Sequence, residues 1–136
     1  MADQLIYILL ADDDLEDQDI LKNAVTGLNA ALVVNTVSNG QEAIQYLHDR
    51  AAGELPSLLI LDYKMPILTA VDVLEKLQGD PRYTQMPKVV WSTSYQDDHI
   101  KLCMDRGATH YFKKPFNSTE LVTIAKKMIA CIPELS

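Results

Sequence analysis

Short apolar runs recur along the chain, and each gives way to a longer stretch in which apolar residues return every three or four positions. The runs read as strands and the periodic stretches as amphipathic helices. Strands are predicted over 5–10, 32–37, 58–61, 88–92 and 110–112. Helices are predicted over 15–28, 41 to about 50, 70–78, 97–106 and 118 to about 132. The first helix carries Ile20, Leu21, Ala24, Val25 and Leu28 as one stripe, and the last carries Leu121, Ile124, Ala125, Met128 and Ile132. Asn39-Gly40 and Asp80-Pro81 mark turns, and Asn117 or Ser118 opens the last helix as its N-cap. Gly27, Gly53, Gly79 and Gly107 fall at or just past predicted helix ends, where a left-handed residue is cheap only for glycine.

Strict alternation of strand and helix implies a parallel sheet with right-handed crossovers and helices on both faces. Leu58-Leu59-Ile60-Leu61 shows no polar alternation, as expected for a strand buried on both sides. The chain has no internal repeat, low-complexity segment or linker, so residues 1–136 are expected to form one domain. A hydrophobic content of 48% excludes a disordered chain. The net charge of −7 argues against a nucleic-acid surface, which Lys126-Lys127 is too small to reverse. Cys103 and Cys131 have no ligand-like spacing and read as free thiols in a reducing compartment. The N-terminus lacks a basic region followed by an apolar core, and no apolar run approaches membrane-spanning length. A soluble, cytoplasmic protein is the expectation.

Chemistry gathers at the strand ends. Asp62 ends the third run, Asp12-Asp13-Asp14 follows the first, Ser92-Thr93-Ser94 the fourth, and Lys114-Pro115 the fifth. Open α/β sheets bind ligands outside the carboxyl ends of their strands. Acidic groups, a hydroxyl and an ammonium would therefore share one rim, a set suited to phosphoryl transfer with Asp62 as acceptor. Asp14 is placed to cap the first helix, which leaves Asp12 and Asp13. Crowded carboxylates need a cation to stay ionised, and Mg²⁺ prefers oxygen ligands and bridges to phosphoryl groups. Ser92 has a second reading, as a strand-end hydroxyl bonded to a turn amide, and Thr93 and Ser94 leave the choice of hydroxyl open. Pro115 forces an extended or turn conformation on Lys114 and leaves a cis bond available. Lys113 reads as a surface residue.

These segments resemble the receiver domain of two-component response regulators over nearly the whole chain. The matching pieces are Leu9-Leu10-Ala11-Asp12-Asp13-Asp14, Asn39-Gly40-Gln41-Glu42-Ala43, Leu61-Asp62-Tyr63-Lys64-Met65-Pro66, Trp91-Ser92-Thr93-Ser94, and the run from Gly107 through Lys114-Pro115-Phe116. The resemblance implies a flavodoxin-like, doubly wound sheet of five parallel strands in the order 2-1-3-4-5, with five helices on both faces. It implies that Asp62 takes a phosphoryl group from a histidine kinase or phosphotransfer protein. Asp13, Asp62 and the Lys64 carbonyl would bind Mg²⁺, with Asp12 holding it through water. Lys114 and Ser92 would hold the phosphoryl oxygens, and Tyr111 would be an aromatic switch that rotates into space their loops vacate; read as a half-buried strand tyrosine, it would need no movement. Such a domain catalyses only its own phosphotransfer and dephosphorylation. With no output domain expected, its signal would pass to a partner protein through the face of the fourth helix, fifth strand and last helix.

Three positions depart from the family pattern. Ser92 replaces the commoner Thr and keeps the hydroxyl. Thr69-Ala70 replaces an acidic or amide residue followed by Gly, so this loop is expected to take its own path, since Ala tolerates positive φ poorly. Lys64 adds a cation beside the acceptor and bears on phosphate lifetime. The rival readings fit less well. A haloacid-dehalogenase-like phosphatase needs Thr or Val where Glu16 stands and has no use for an Asp after the third strand. A receiver-like module without phosphorylation would be expected to have lost an acidic ligand, the acceptor or the lysine. A nucleotide-binding flavodoxin-like protein lacks its glycine-rich phosphate loop.

Overall fold

The computed structural model describes residues 4–135, so residues 1–3 and 136 of the expected domain lie outside the described residues. Five strands, β1 (Ile6–Ala11), β2 (Leu32–Val37), β3 (Leu58–Asp62), β4 (Lys88–Ser92) and β5 (His110–Lys113), form one sheet in the order β2-β1-β3-β4-β5. Every neighbouring pair is parallel. The helices are α1 (Leu15–Leu28), α2 (Gly40–His48), α3 (Ala70–Leu77), α4 (Asp97–Asp105) and α5 (Ser118–Ile129). Most differ from the sequence reading by one or two residues at an end. The largest difference is α5, which stops at Ile129 and leaves Ile132 to pack from the following turn.

All five residues of β3 and of β4 are buried, the signature of central strands covered on both faces. Side chains alternate across the sheet and feed two cores. Ile8, Leu10, Leu58, Ile60, Val89 and Trp91 meet α1 and α5 through Leu21, Val25, Ala125 and Met128. Leu9, Leu59, Leu61 and Val90 meet α2, α3 and α4 on the other side. The α1 stripe is narrower than its periodicity implied: Leu21 and Val25 are buried, whereas Ile20 and Leu28 reach solvent. Gln18 is buried in the first turn of that helix.

Two glycine assignments hold and two do not. Gly79 and Gly107 adopt positive φ past α3 and α4, while Gly27 lies inside α1 and Gly53 in a short 3₁₀ turn, neither at positive φ. The Thr69-Ala70 departure has a specific outcome. Thr69 is the N-cap of α3 and forms a reciprocal capping box with Asp72, so Ala70 is an ordinary first helical residue. The left-handed position falls instead on Ile67, at φ 70°, where Leu68 N donates to Pro66 O at 2.8 Å across a γ-turn. The described residues contain no cis peptide bond, so the bond before Pro115 is trans. No helix among the described residues is long and apolar enough to cross a membrane.

Candidate functional site

Strand register builds the site. Ala11 pairs with Leu61 across β1 and β3, so the next residues, Asp12 and Asp62, emerge side by side. Asp62 pairs in turn with Trp91, which places Ser92 one step further along the same edge. Lys114 N donates to Ser92 O at 2.8 Å, extending the β4–β5 ladder by one rung. Asp13, Asp62, Lys64, Ser92 and Lys114 line one open cleft at the carboxyl ends of the strands. Carboxylate oxygens of Asp12, Asp13 and Asp62 lie within 4.8 Å of one another.

Local capping explains why three consecutive aspartates differ in duty. Asp14 is the N-cap of α1 and accepts from Asp17 N at 3.1 Å. Asp12 is fully buried, and its Oδ1 accepts from Asp14 N at 2.9 Å. Its Oδ2 lies 2.9 Å from Lys114 Nζ but has no aligned hydrogen-bond partner among the described residues. Asp13 is exposed at the mouth of the cleft. Three carboxylates whose oxygens crowd within 4.8 Å, faced by the Lys114 ammonium, are a donor set that fits a hard divalent cation.

Lys114 is the local counter-charge. Its ammonium lies 2.8 Å from Asp17 Oδ2, 2.9 Å from Asp12 Oδ2 and 3.5 Å from Asp62 Oδ1. Burial pulls the lysine pKa down, but its bonds to Asp17 and Asp12 outweigh this and hold the group above its ordinary value. The pKa of Asp62 is raised as well. Burial, then the charge of Asp12, raises its carboxyl to about 7 against the pull of Lys114. Burial likewise raises Asp12, opposed by the Asp14 amide and Lys114.

Ser92 is 2% exposed and its Oγ accepts from Ser94 N at 3.0 Å, the turn-amide bond that composition allowed. Thr93 is exposed. Tyr111 packs against the same loop. Its ring is already buried, in edge and tilted contact with Tyr95 and Tyr63, and its hydroxyl donates to Ser94 O at 2.6 Å. Burial pushes the phenol up to about 12, which keeps it a donor. Tyr111 thus contacts both Ser94 and Tyr95 of the β4–α4 loop.

Sequence reasoning missed Asp17, Gln18 and His99. Asp17 pairs with Lys114, and Gln18 Nε2 donates to Asp12 O at 2.5 Å and to Val37 O at 3.2 Å. Ser94 Oγ meets His99 Nδ1 at 2.8 Å, and His99 stacks on Tyr63 with centroids 4.4 Å apart. The surplus of acidic residues in the first turn of α1 was the one visible signal. The Ser94–His99 bond spans a loop and a helix start and leaves no periodic trace.

The profile described as the response regulator receiver domain matches residues 8–126. The two-component response regulators ORR4 of Oryza sativa subsp. indica and ARR8 of Arabidopsis thaliana are each 25% identical, over 94% and 90% of this chain. These matches cover 61% and 60% of those proteins, so the chain spans about three-fifths of the curated relatives it resembles. The structure of the phosphorylated cyanobacterial phytochrome response regulator RcpA superposes with a TM-score of 0.85 at 28% identity, covering 97% of this chain and 96% of that one. The Mn²⁺-bound response regulator Rcp1 gives 0.80 at 21% identity over 92% of both chains. The chemotaxis response regulator CheY4 of Vibrio cholerae gives 0.76 at 20%, over 92% of this chain and 99% of its own. At those identities the last two show a shared fold.

Proposed function

The chain belongs to the response regulator receiver domain family, and from that starting point we propose that Asp62 accepts a phosphoryl group from a histidine kinase or phosphotransfer protein. One observation carries this reading. Asp62 ends a wholly buried central strand, with the Asp12 and Asp13 carboxylates within 4.8 Å and the Lys114 ammonium at 3.5 Å. In the transfer, an Asp62 carboxylate oxygen attacks phosphorus in line with the imidazole of a phosphohistidine. The P–O bond forms as the P–N bond breaks, and the imidazole leaves with the electron pair and takes up a proton. Holding donor and acceptor in this geometry supplies much of the rate.

Asp12, Asp13, Asp62 and the Lys64 backbone carbonyl would hold Mg²⁺. When bound, the ion supplies positive charge that offsets both the carboxylates and the incoming phosphoryl oxygens. Lys114 pairs with a phosphoryl oxygen, and the Ser92 hydroxyl, whose proton the Ser94 amide leaves free, donates to another. Hydrolysis of the acyl phosphate by water returns the carboxylate. Residues 1–136 act as one receiver domain, and the signal passes to a partner protein through the surface of α4, β5 and α5.

The deciding experiment is incubation with acetyl phosphate and Mg²⁺, followed by intact-mass measurement. The protein should gain one phosphoryl mass, and neither Asp62→Asn nor the EDTA-treated protein should do so. A phosphoryl adduct on Asp62→Asn would refute the assignment.

A further inference from the structure

The Lys114 ammonium hydrogen-bonds Asp17 Oδ2 at 2.8 Å, ion-pairs with Asp12 Oδ2 at 2.9 Å, and stands 3.5 Å from the acceptor oxygen of Asp62. Asp17 lies on α1, apart from the strand ends that supply the acceptor and the acidic pair. Its position is fixed from both sides. Its amide is capped by Asp14, and the adjoining Gln18 ties the helix to Asp12 O and Val37 O, at the ends of β1 and β2. Helix stability does not account for the contact. Asp14 already caps α1, and Glu16 already places acidic charge in its first turn.

We propose that Asp17 is a positioning residue that holds the Lys114 ammonium back from the acceptor in the unphosphorylated protein, so that a phosphoryl group on Asp62 must draw the lysine away from it. This rests on the phosphoacceptor reading of the same site. An aspartate and a phosphoryl oxygen are both anionic acceptors for one cationic donor, and charge-assisted bonds to either are of comparable strength. While Asp17 retains the lysine, only a fraction of molecules present it to the phosphoryl group, and the apparent affinity falls by that fraction. Asp17 thereby sets how readily the phosphorylated arrangement is reached. Neutralising it should favour that arrangement, the opposite of what the loss of a supporting contact would do.

Beryllofluoride, titrated into Mg²⁺-saturated protein as a phosphoryl mimic, tests this. Trp91 is the chain's single tryptophan, and its ring lies 4.9 Å from Lys114 Nζ, so its fluorescence reports the lysine's surroundings. Asp17→Asn should bind beryllofluoride about three- to tenfold more tightly than the unaltered protein. Asp17→Glu, which restores the carboxylate, should return to within about twofold of the unaltered protein. Asp19→Asn removes an exposed charge from the same helix and should also change affinity by less than about twofold. Asp17→Asn binding no tighter than Asp19→Asn overturns the proposal, even where its urea midpoint falls. If the unaltered protein binds beryllofluoride normally and Asp17→Asn matches it, the proposal fails and the phosphoacceptor reading stands. If the unaltered protein neither binds it nor gains phosphate from acetyl phosphate, both fall.

Discussion

Asp62 is a carboxyl group 6% exposed to solvent, and the charge of Asp12 opposes its ionisation. Its folded-state pKa of about 7 lies above the ordinary 3.8, so between those values the folded protein holds a proton that the unfolded chain lacks. The contribution of Asp62 to stability therefore falls as pH rises from about 4 to about 7 and is lowest above that window. Asp62→Asn keeps the shape and removes the charge. Without metal it should unfold at higher urea than the parent above pH 7, by on the order of 2 kcal/mol, with the gap closing toward pH 4. Urea midpoints in EDTA across that range measure it, and a gap that widens on acidification would contradict the argument. The cap at Asp14 and the strand-end placement of Asp62 were legible from position alone, because both are local features. The pairing of Lys114 with Asp17 was not, since the two are 97 positions apart.

Between strands and helices, backbone geometry decides what is tolerated. Gly40 opens α2 where the chain passes the β3–α3 loop. A Cβ there would collide with the Leu68 carbonyl oxygen and Cβ, and would come within 2.8 Å of Val73 Cγ2. Gly40→Ala should therefore cost about 1–3 kcal/mol through overpacking. Gly27, inside α1, has nothing within 4 Å of a built Cβ. Gly27→Ala should be stabilising by about 0.5–1 kcal/mol, because alanine loses less backbone entropy on entering a helix. Denaturant midpoints of the two variants should move in opposite directions. Sequence patterning treated Asn39-Gly40 as a turn and Gly27 as a helix end. The first is better described as a close approach, and only packing reveals it. The same holds at Ile67, where a β-branched residue accepts positive φ so that Thr69 can cap α3.

Across the domain, one loop joins the acidic cleft to the α4–β5 face. Ser94 binds the Ser92 hydroxyl through its amide, the Tyr111 hydroxyl through its carbonyl, and His99 through its side chain. Movement of Ser92 toward a phosphoryl group would pull on the first bond and so shift the residue that anchors the other two. A ligand moves such an equilibrium only through contacts that differ between the two states. Tyr111→Phe deletes the tyrosine end of this chain without touching the acceptor. Its phosphoryl uptake from acetyl phosphate should be unchanged, whereas amide chemical-shift changes on adding beryllofluoride should weaken along α4 and β5. Full retention of those changes would mean that the signal travels by another route.

Element order, strand burial and the candidate residues at the strand ends could be read from 136 letters, because apolar periodicity and capping act between residues close in sequence. The ladder order and the register that bring Asp12 beside Asp62 agree with the expected fold. Side-chain partners were another matter. Which oxygen holds the Lys114 ammonium, where Tyr111 rests and which glycine lacks room for a methyl group depend on contacts between segments far apart along the chain. Such contacts arise only when the two cores close on the sheet. Local pattern specifies which face of an element is buried, and packing in three dimensions decides what each polar group on the rim will meet.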